Sequence, residues 1–325
     1  MKPSLCAILR PAHTTLFLFL SLTLGAAPLP EEKPLWPDPN WQNPIYYDVP
    51  EAISNHSPRK ASLSGLNRVY SFVSMSSYSI HEPANGSATG LGLVICPGGG
   101  FRELWLDREG HDLAVWLKTR GITSLVLKYR TNAEIKPGER KFPPDVYVPA
   151  VTEDARQAIR ILRAHLAQAD PGNRHNHVGI CGFSAGGALA VYSVFRQPSN
   201  PAKDDISGSP DFAGLFYPGL READAQLVAS AKHIPPLFII NAVDDRLTPV
   251  DRCVDFYQLL LKAGAPAELH LFNKGGHGFD MGEGHGDAVG LWKESFMAWL
   301  RDTGFLTPPL GKPDVAGASS ASSGP

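Results

Sequence analysis

Apolar residues gather in runs of strand length at 91–96, 122–129, 177–181, 212–217, 237–241 and 267–272. Several of these runs are apolar without alternation, as expected of strands covered on both faces. The segments 69–76 and 77–81 read as antiparallel strands leading into the set. Between the runs, apolar residues recur at helical spacing. Leu113, Trp116 and Leu117 mark one short face, and Val151, Ala155, Ala158, Leu162 and Leu166 a longer one. Cys253, Phe256, Tyr257, Leu260 and Leu261 mark another, and Val289, Trp292, Phe296, Trp299 and Leu300 the last. Gly121 and Gly264 follow two of these stretches as helix stops. Strands alternating with helices predict an α/β domain with a mostly parallel central sheet flanked by helices on both faces. Ligands in such sheets bind beyond the carboxyl ends of the strands, so the residues just after each run are the candidates for chemistry.

The two ends of the chain lack this alternation. Lys2 and Arg10, an apolar run at 16–24, then Gly25, Ala26 and Ala27 follow the order of a secretory signal peptide. Cleavage is expected near Ala26 or Ala27, which gives a secreted or periplasmic protein. The run falls short of the roughly 20 apolar residues of a membrane span, with an uncleaved anchor as the alternative. Residues 28–66 are rich in Pro and polar side chains, with Trp36, Trp41, Tyr46 and Tyr47 interspersed. They read as an extended N-terminal arm packed on a body at 67–306. The tail at 307–325 is Pro, Gly, Ala and Ser, and is expected to be disordered.

Composition narrows the function classes. Thirty basic and 32 acidic side chains leave a net charge of −2, without the basic excess of a nucleic-acid binder. A hydrophobic content of 43% is enough for a core and excludes an acidic disordered chain. Cys6 would leave with the signal. Cys96, Cys181 and Cys253 are then too few and odd in number for a disulfide framework, and their spacing fits no zinc site. Asn55-His56-Ser57 and Asn85-Gly86-Ser87 fit the N-glycosylation pattern.

Chemistry concentrates after four of the strand runs. Gly182-Phe183-Ser184-Ala185-Gly186 lies between an apolar strand and an Ala-rich helical stretch. In that context G-x-S-x-G marks a sharp turn that lifts a nucleophilic Ser184 above the sheet. Pro97-Gly98-Gly99-Gly100 follows an earlier strand and brings bare backbone N–H groups near a ligand. Gly99, Gly100 and Ala185 are the candidate oxyanion donors, with Phe101 the alternative on the loop. Phe101 and Trp105 are candidate substrate contacts, or packing against the arm. His277, between glycines after the last strand, is the candidate general base. His285 lies farther on, and His81 and His111 precede the nucleophile. Asp244 and Asp245 follow the penultimate strand, and Asp245 is preferred as the acid because it opens the turn before the next helix. This chemistry requires no metal or organic cofactor.

The order Ser184, Asp245, His277 is that of the α/β-hydrolase fold. The chain resembles α/β-hydrolase esterases of the acetyl xylan esterase or carbohydrate esterase-lipase type over about 69–300. The marks are the 97–100 loop, Glu109-Gly110, Lys128-Tyr129-Arg130, Asp154-Ala155 with Arg160 and Arg163, the 182–187 motif, Tyr217-Pro218, and the Asp245 and His277 segments. Pro97 stands where many relatives carry His, and Asn241 where many carry His or Gly. The resemblance implies ester hydrolysis through an acyl-enzyme. The stretch 197–235 is mainly polar and lacks a large apolar cap, which suits an open cleft and a carbohydrate-borne acetyl ester. Lys136, Arg140 and Lys141 within 131–148 rim that cleft or form a solvated loop. The substrate is thus a small-molecule or polysaccharide ester, with neither nucleic acid nor, once the signal is removed, a membrane as partner. A short-chain carboxylesterase, a peptidase of the prolyl-oligopeptidase type and a catalytically silent carbohydrate-binding protein are the competing readings.

Overall fold

A computed structural model describes residues 28–306 apart from 39–40, 61, 137, 171–175 and 197–205. The expected signal peptide and disordered tail lie outside the described residues. An eight-stranded sheet forms the centre. Its strands are β1 (Lys33–Pro34), β2 (Ser77–His81), β3 (Gly92–Cys96), β4 (Thr123–Lys128), β5 (Val178–Phe183), β6 (Ala213–Phe216), β7 (Leu237–Ala242) and β8 (Ala267–Phe272). The spatial order is 1-2-4-3-5-6-7-8. β1, β2 and β4 are joined antiparallel, and every later pairing is parallel. Cys96 pairs with Gly182, Phe183 with Phe216, and Phe216 with Ile240. The carboxyl ends of β3, β5, β6 and β7 are therefore level, and their loops leave from one rim.

The helices are α1 (Asp112–Lys118), α2 (Pro144–Ala169), α3 (Ala185–Phe195), α4 (Ala225–Ser230), α5 (Val250–Lys262), α6 (Asp287–Gly290) and α7 (Trp292–Asp302). Two layers are traceable through side chains. Phe216 and Phe238 pack on Trp292, Phe296 and Trp299 of α7, and Arg120 beyond α1 reaches Glu294 at 3.2 Å. On the other face a Cβ at Gly92 would touch Leu162 and Leu166 of α2, and Phe195 of α3 meets Phe256 of α5. Sandwiched between these layers, β3 through β7 are buried along their whole length, which is why their sequences carry no alternation. β8 is the sheet edge, and its residues are half-buried or exposed.

The arm is pinned at several points. β1 adds to the sheet edge, the Trp36 indole donates to Asp154 at 2.8 Å, and the Tyr47 hydroxyl donates to the Thr131 carbonyl at 2.6 Å. Two expectations need correction. The 69–76 segment does not continue as a strand beside 77–81. Its strand, Arg68–Ser71, stops where Phe72 takes φ 56°, and it pairs instead with Ala52–Asn55 and Glu103–Leu104 in a separate three-stranded sheet. The 131–148 segment is not loop to its end, because α2 begins at Pro144. A proline fits a helix start, where its missing N–H has no partner to lose.

Candidate active site

β5 delivers Ser184 to the rim in a conformation few side chains adopt, φ 51° and ψ −114°. Such a backbone costs on the order of 1–3 kcal/mol and persists only where its surroundings fix it. Here the Ser184 N–H donates to Phe216 O at 2.9 Å, and its carbonyl accepts from Gly219 and Ala188. The glycines make the tight crossing possible. A Cβ at Gly182 would lie 2.1 Å from Gly186 O, and one at Gly186 1.9 Å from Cys96 O.

His277 and Asp245 meet this serine. His277 Nε2 lies 3.0 Å from Ser184 Oγ, and Nδ1 lies 2.8 Å from Asp245 Oδ2. An ionised carboxylate only accepts, so Nδ1 carries the ring hydrogen and Nε2 is left to accept from the serine hydroxyl. Asp245 Oδ1 accepts from the amides of Leu247 and Thr248, and Oδ2 from the Thr248 hydroxyl at 2.7 Å. Burial alone would raise this carboxyl, but the bonds from His277 and Thr248 outweigh it and hold Asp245 below the usual carboxylate range. The exposed Asp244 takes a different post. Its Oδ1 accepts the Gly276 amide at 2.7 Å and so braces the loop that carries His277. His285 faces away, with Nδ1 2.7 Å from Gly275 O. His81 and His111 bond to each other at 2.9 Å, outside the site.

The glycine loop lies beside the serine. Gly99 has φ 129°, and a Cβ there would overlap Glu103 O at 2.0 Å, so the loop can close only on glycine. The Gly99 carbonyl accepts from Arg102 and Glu103, while Gly98 O accepts from Trp105. Among the described residues, no protein acceptor takes the amides of Gly99, Gly100 or Ala185. All three residues line a cavity of about 510 Å³ together with Ser184 and His277.

Phe101 and Trp105 line the same cavity. Phe101 also packs on Tyr129, Tyr147 and Tyr192 rather than on the arm. Trp105 does touch the arm, at His56, and Arg108 stacks over its ring at 4.3 Å. Of the three cations in the 131–148 segment, Arg140 reaches the glycine loop, donating to Gly100 O at 3.1 Å. Lys141 pairs with Asp48 of the arm, and Lys136 with Glu139.

Sequence reasoning missed four residues. Thr248 braces Asp245, and its hydroxyl lies 3.1 Å from His277 Nδ1, a role hinted at only by its place three residues after the acid. Asn241 donates to Thr248 O at 2.9 Å and so holds the acid turn to the end of β7. Glu109 and Tyr217 stood in the sequence only as marks of resemblance. Glu109 is buried in the cavity wall, where its Oε2 accepts the Gly98 amide at 2.7 Å and its Oε1 accepts the Tyr217 hydroxyl at 2.8 Å. Burial, then the neighbouring Asp280, pushes the Glu109 carboxyl up to about 7.

Known proteins resemble this chain in sequence and in fold. The model of the dienelactone hydrolase family matches residues 127–306. The chain is 31% identical over 230 residues to an acetylxylan esterase of Xylanibacter ruminicola, a match covering 62% of this chain and 43% of that protein. The chain thus spans less than half the length of that relative. The acetyl ester-xyloside bifunctional hydrolase of Caldicellulosiruptor lactoaceticus superposes with a TM-score of 0.63 at 24% identity, over 87% of this chain and 100% of that one. Thermogutta terrifontis esterase 2, phosphorylated by paraoxon, gives a TM-score of 0.58 at 26% identity, over 72% and 91%. The fold is that of the α/β-hydrolases, as the sequence leads one to expect.

Proposed function

Because this chain belongs to the dienelactone hydrolase family, we propose that it is an exported serine esterase that removes acetyl groups from carbohydrate such as xylan. The observation that carries the chemistry is the hydrogen-bonded chain from Asp245 through His277 to Ser184, at 2.8 and 3.0 Å, beside amides that meet no protein acceptor among the described residues. The likeness to an acetylxylan esterase supports the substrate class, and the 1–27 segment supports export.

In this reading His277 takes the Ser184 proton as Oγ attacks the ester carbonyl. The Gly99, Gly100 and Ala185 amides receive the developing oxyanion. Each such donor is typically worth about 3 kcal/mol of barrier. The protonated His277 returns its proton to the leaving alcohol, and an acyl-Ser184 remains. Water, deprotonated by the same imidazole, then releases the carboxylic acid and restores the serine. Asp245 keeps the ring in the productive tautomer and offsets its transient charge.

Hydrolysis of para-nitrophenyl acetate, butyrate and octanoate, together with acetate release from acetylated xylan, tests the reading. The expected result is a preference for acetate and measurable release from xylan. Fast acetate ester turnover with inert xylan would replace it with a general short-chain carboxylesterase. Paraoxon is expected to silence the enzyme by phosphorylating Ser184, and Ser184→Ala to take up no phosphate. Ester turnover that survives Ser184→Ala would refute the serine mechanism.

A further inference from the structure

Two parts of the site hang from different strands. The glycine loop follows β3, and Tyr217, whose ring meets His277 edge-on at 5.0 Å, follows β6. A single buried carboxyl joins them. Glu109, in the turn before α1, accepts the Gly98 amide with one oxygen and the Tyr217 hydroxyl with the other. The fit is close, since a Cβ on Gly98 would lie 2.6 Å from Glu109 Oε2 and 3.0 Å from Ser184 Cβ. Tyr217 is itself held in a rare conformation, φ 37°, and its hydroxyl also accepts the Asp280 amide at 3.2 Å. Asp280, three residues beyond His277, is clamped by Arg108 at 3.0 Å and by Arg59 of the arm at 2.7 Å. Burying a carboxyl in a cavity wall opposes stability unless it is fully bonded. Here both its oxygens are spent on elements that flank the serine.

We propose that Glu109 is a positioning residue for the reaction, fixing the glycine loop against the wall that backs His277 so that the Gly99 and Gly100 amides point at the developing oxyanion. The inference rests on the esterase reading above. Gly99 follows Gly98 directly, so any shift of Gly98 is passed to the donors. Donors displaced by a fraction of an ångström lose their benefit in the transition state, where charge appears, and much less in the ground state. The effect therefore belongs to kcat rather than to KM.

The test compares Glu109→Ala and Glu109→Gln on para-nitrophenyl acetate, with thermal melting to establish folding and hydrogen exchange of peptides covering 97–104. Glu109→Ala is expected to lower kcat by roughly 10–100-fold while KM moves by less than about threefold, and to speed exchange in the loop. Glu109→Gln is expected to recover to within about fivefold of wild type. Its amide keeps an oxygen for Gly98 and offers an N–H to Tyr217 Oη, whose own hydrogen turns to Asp280 Oδ1, 3.3 Å away. Where Glu109→Ala fails to fold, Tyr217→Phe carries the test, with an expected loss of roughly 3–10-fold in kcat from freeing one end of the link. A folded Glu109→Ala or Tyr217→Phe with wild-type kcat overturns this inference alone. So does a loss confined to KM, or a Gln variant no better than Ala. A wild type inert toward every ester and unlabelled by paraoxon overturns the esterase reading, and this inference with it.

Discussion

Two adjacent acids, alike in sequence, are separated by what they touch. Asp245 is buried and bonded to the His277 ring, to two amides and to the Thr248 hydroxyl, whereas Asp244 is exposed and holds only the Gly276 amide. Asp245→Asn presents an amide where the ring needs an acceptor, and it favours the wrong tautomer. A fall in kcat of about 10³–10⁴-fold is expected, measured by ester turnover. Asp244→Asn keeps an oxygen for Gly276, so its loss should stay below about tenfold. Equal losses in the two variants would undo the assignment. Ser184 and Asp245 illustrate what was legible at this scale. The G-x-S-x-G turn is read from neighbours in the chain, and the preference for Asp245 rests on local turn position. Thr248 and Asn241 escape although they bond within the acid turn, because a Thr or Asn near a turn is common and carries no mark of its partner. Glu109 escapes because its Tyr217 partner lies across the fold, and no local pattern marks a buried carboxyl.

At the level of elements, the site depends on how closely α3 approaches the end of β3. That approach passes through Gly186, whose absent Cβ leaves room for the Cys96 and Pro97 carbonyls. Gly186→Ala puts a methyl 1.9 Å from Cys96 O. Neither strand nor helix can yield without breaking the level rim. A destabilisation of about 3 kcal/mol or more is expected, read as a melting temperature lower by roughly 5–10 °C. Melting within a degree of wild type would show that α3 has slack the packing does not suggest. Helices and strands themselves were largely visible from periodicity. The exceptions have physical causes. The strand at Arg68–Ser71 ends earlier than its apolar pattern predicts, because a turn at Phe72 with positive φ leaves no signature in an apolar residue. The start of α2 is hidden in the sequence because Pro144 and Pro149 suggest loop, although proline suits a first helical turn.

For the whole molecule, a buried pair of histidines ties stability to pH. His81 of β2 and His111 before α1 are held neutral by burial, down to about 3 and about 4 against an ordinary 6.5. Below pH 6.5 the unfolded chain therefore binds protons that the native pair refuses, so stability falls as pH drops from 6.5 towards 4 and is flat above. Glu109 works the other way between about 7 and its ordinary 4.5, because the native state holds its proton first. The difference between variants isolates the pair. His81→Gln keeps a partner for His111 and should lose less stability between pH 6.5 and 4 than wild type, by up to about 1.4 kcal/mol per pH unit. Parallel melting curves across that range would dismiss the linkage. The arm belongs to this scale too. Glu32 and Glu51 pair with Lys128, and Arg59 clamps Asp280 behind the site, so the arm is tied to the body by ion pairs at these residues.

The sequence alone determined the alternation of strand and helix, hence a mostly parallel sheet with both faces covered, because burial on two faces writes itself into unbroken apolar runs. It also determined the serine turn and its order relative to acid and histidine, since each of those signals spans only a few neighbouring residues. It takes the folded chain to bring His277 to 3.0 Å from Ser184 on one side and 2.8 Å from Asp245 on the other. The same holds for Asp244 as a brace and for Glu109 as the link between the glycine loop and Tyr217. Those facts depend on distances between residues up to 108 positions apart. Such distances follow from how strands are ordered in the sheet, which no local run of side chains encodes.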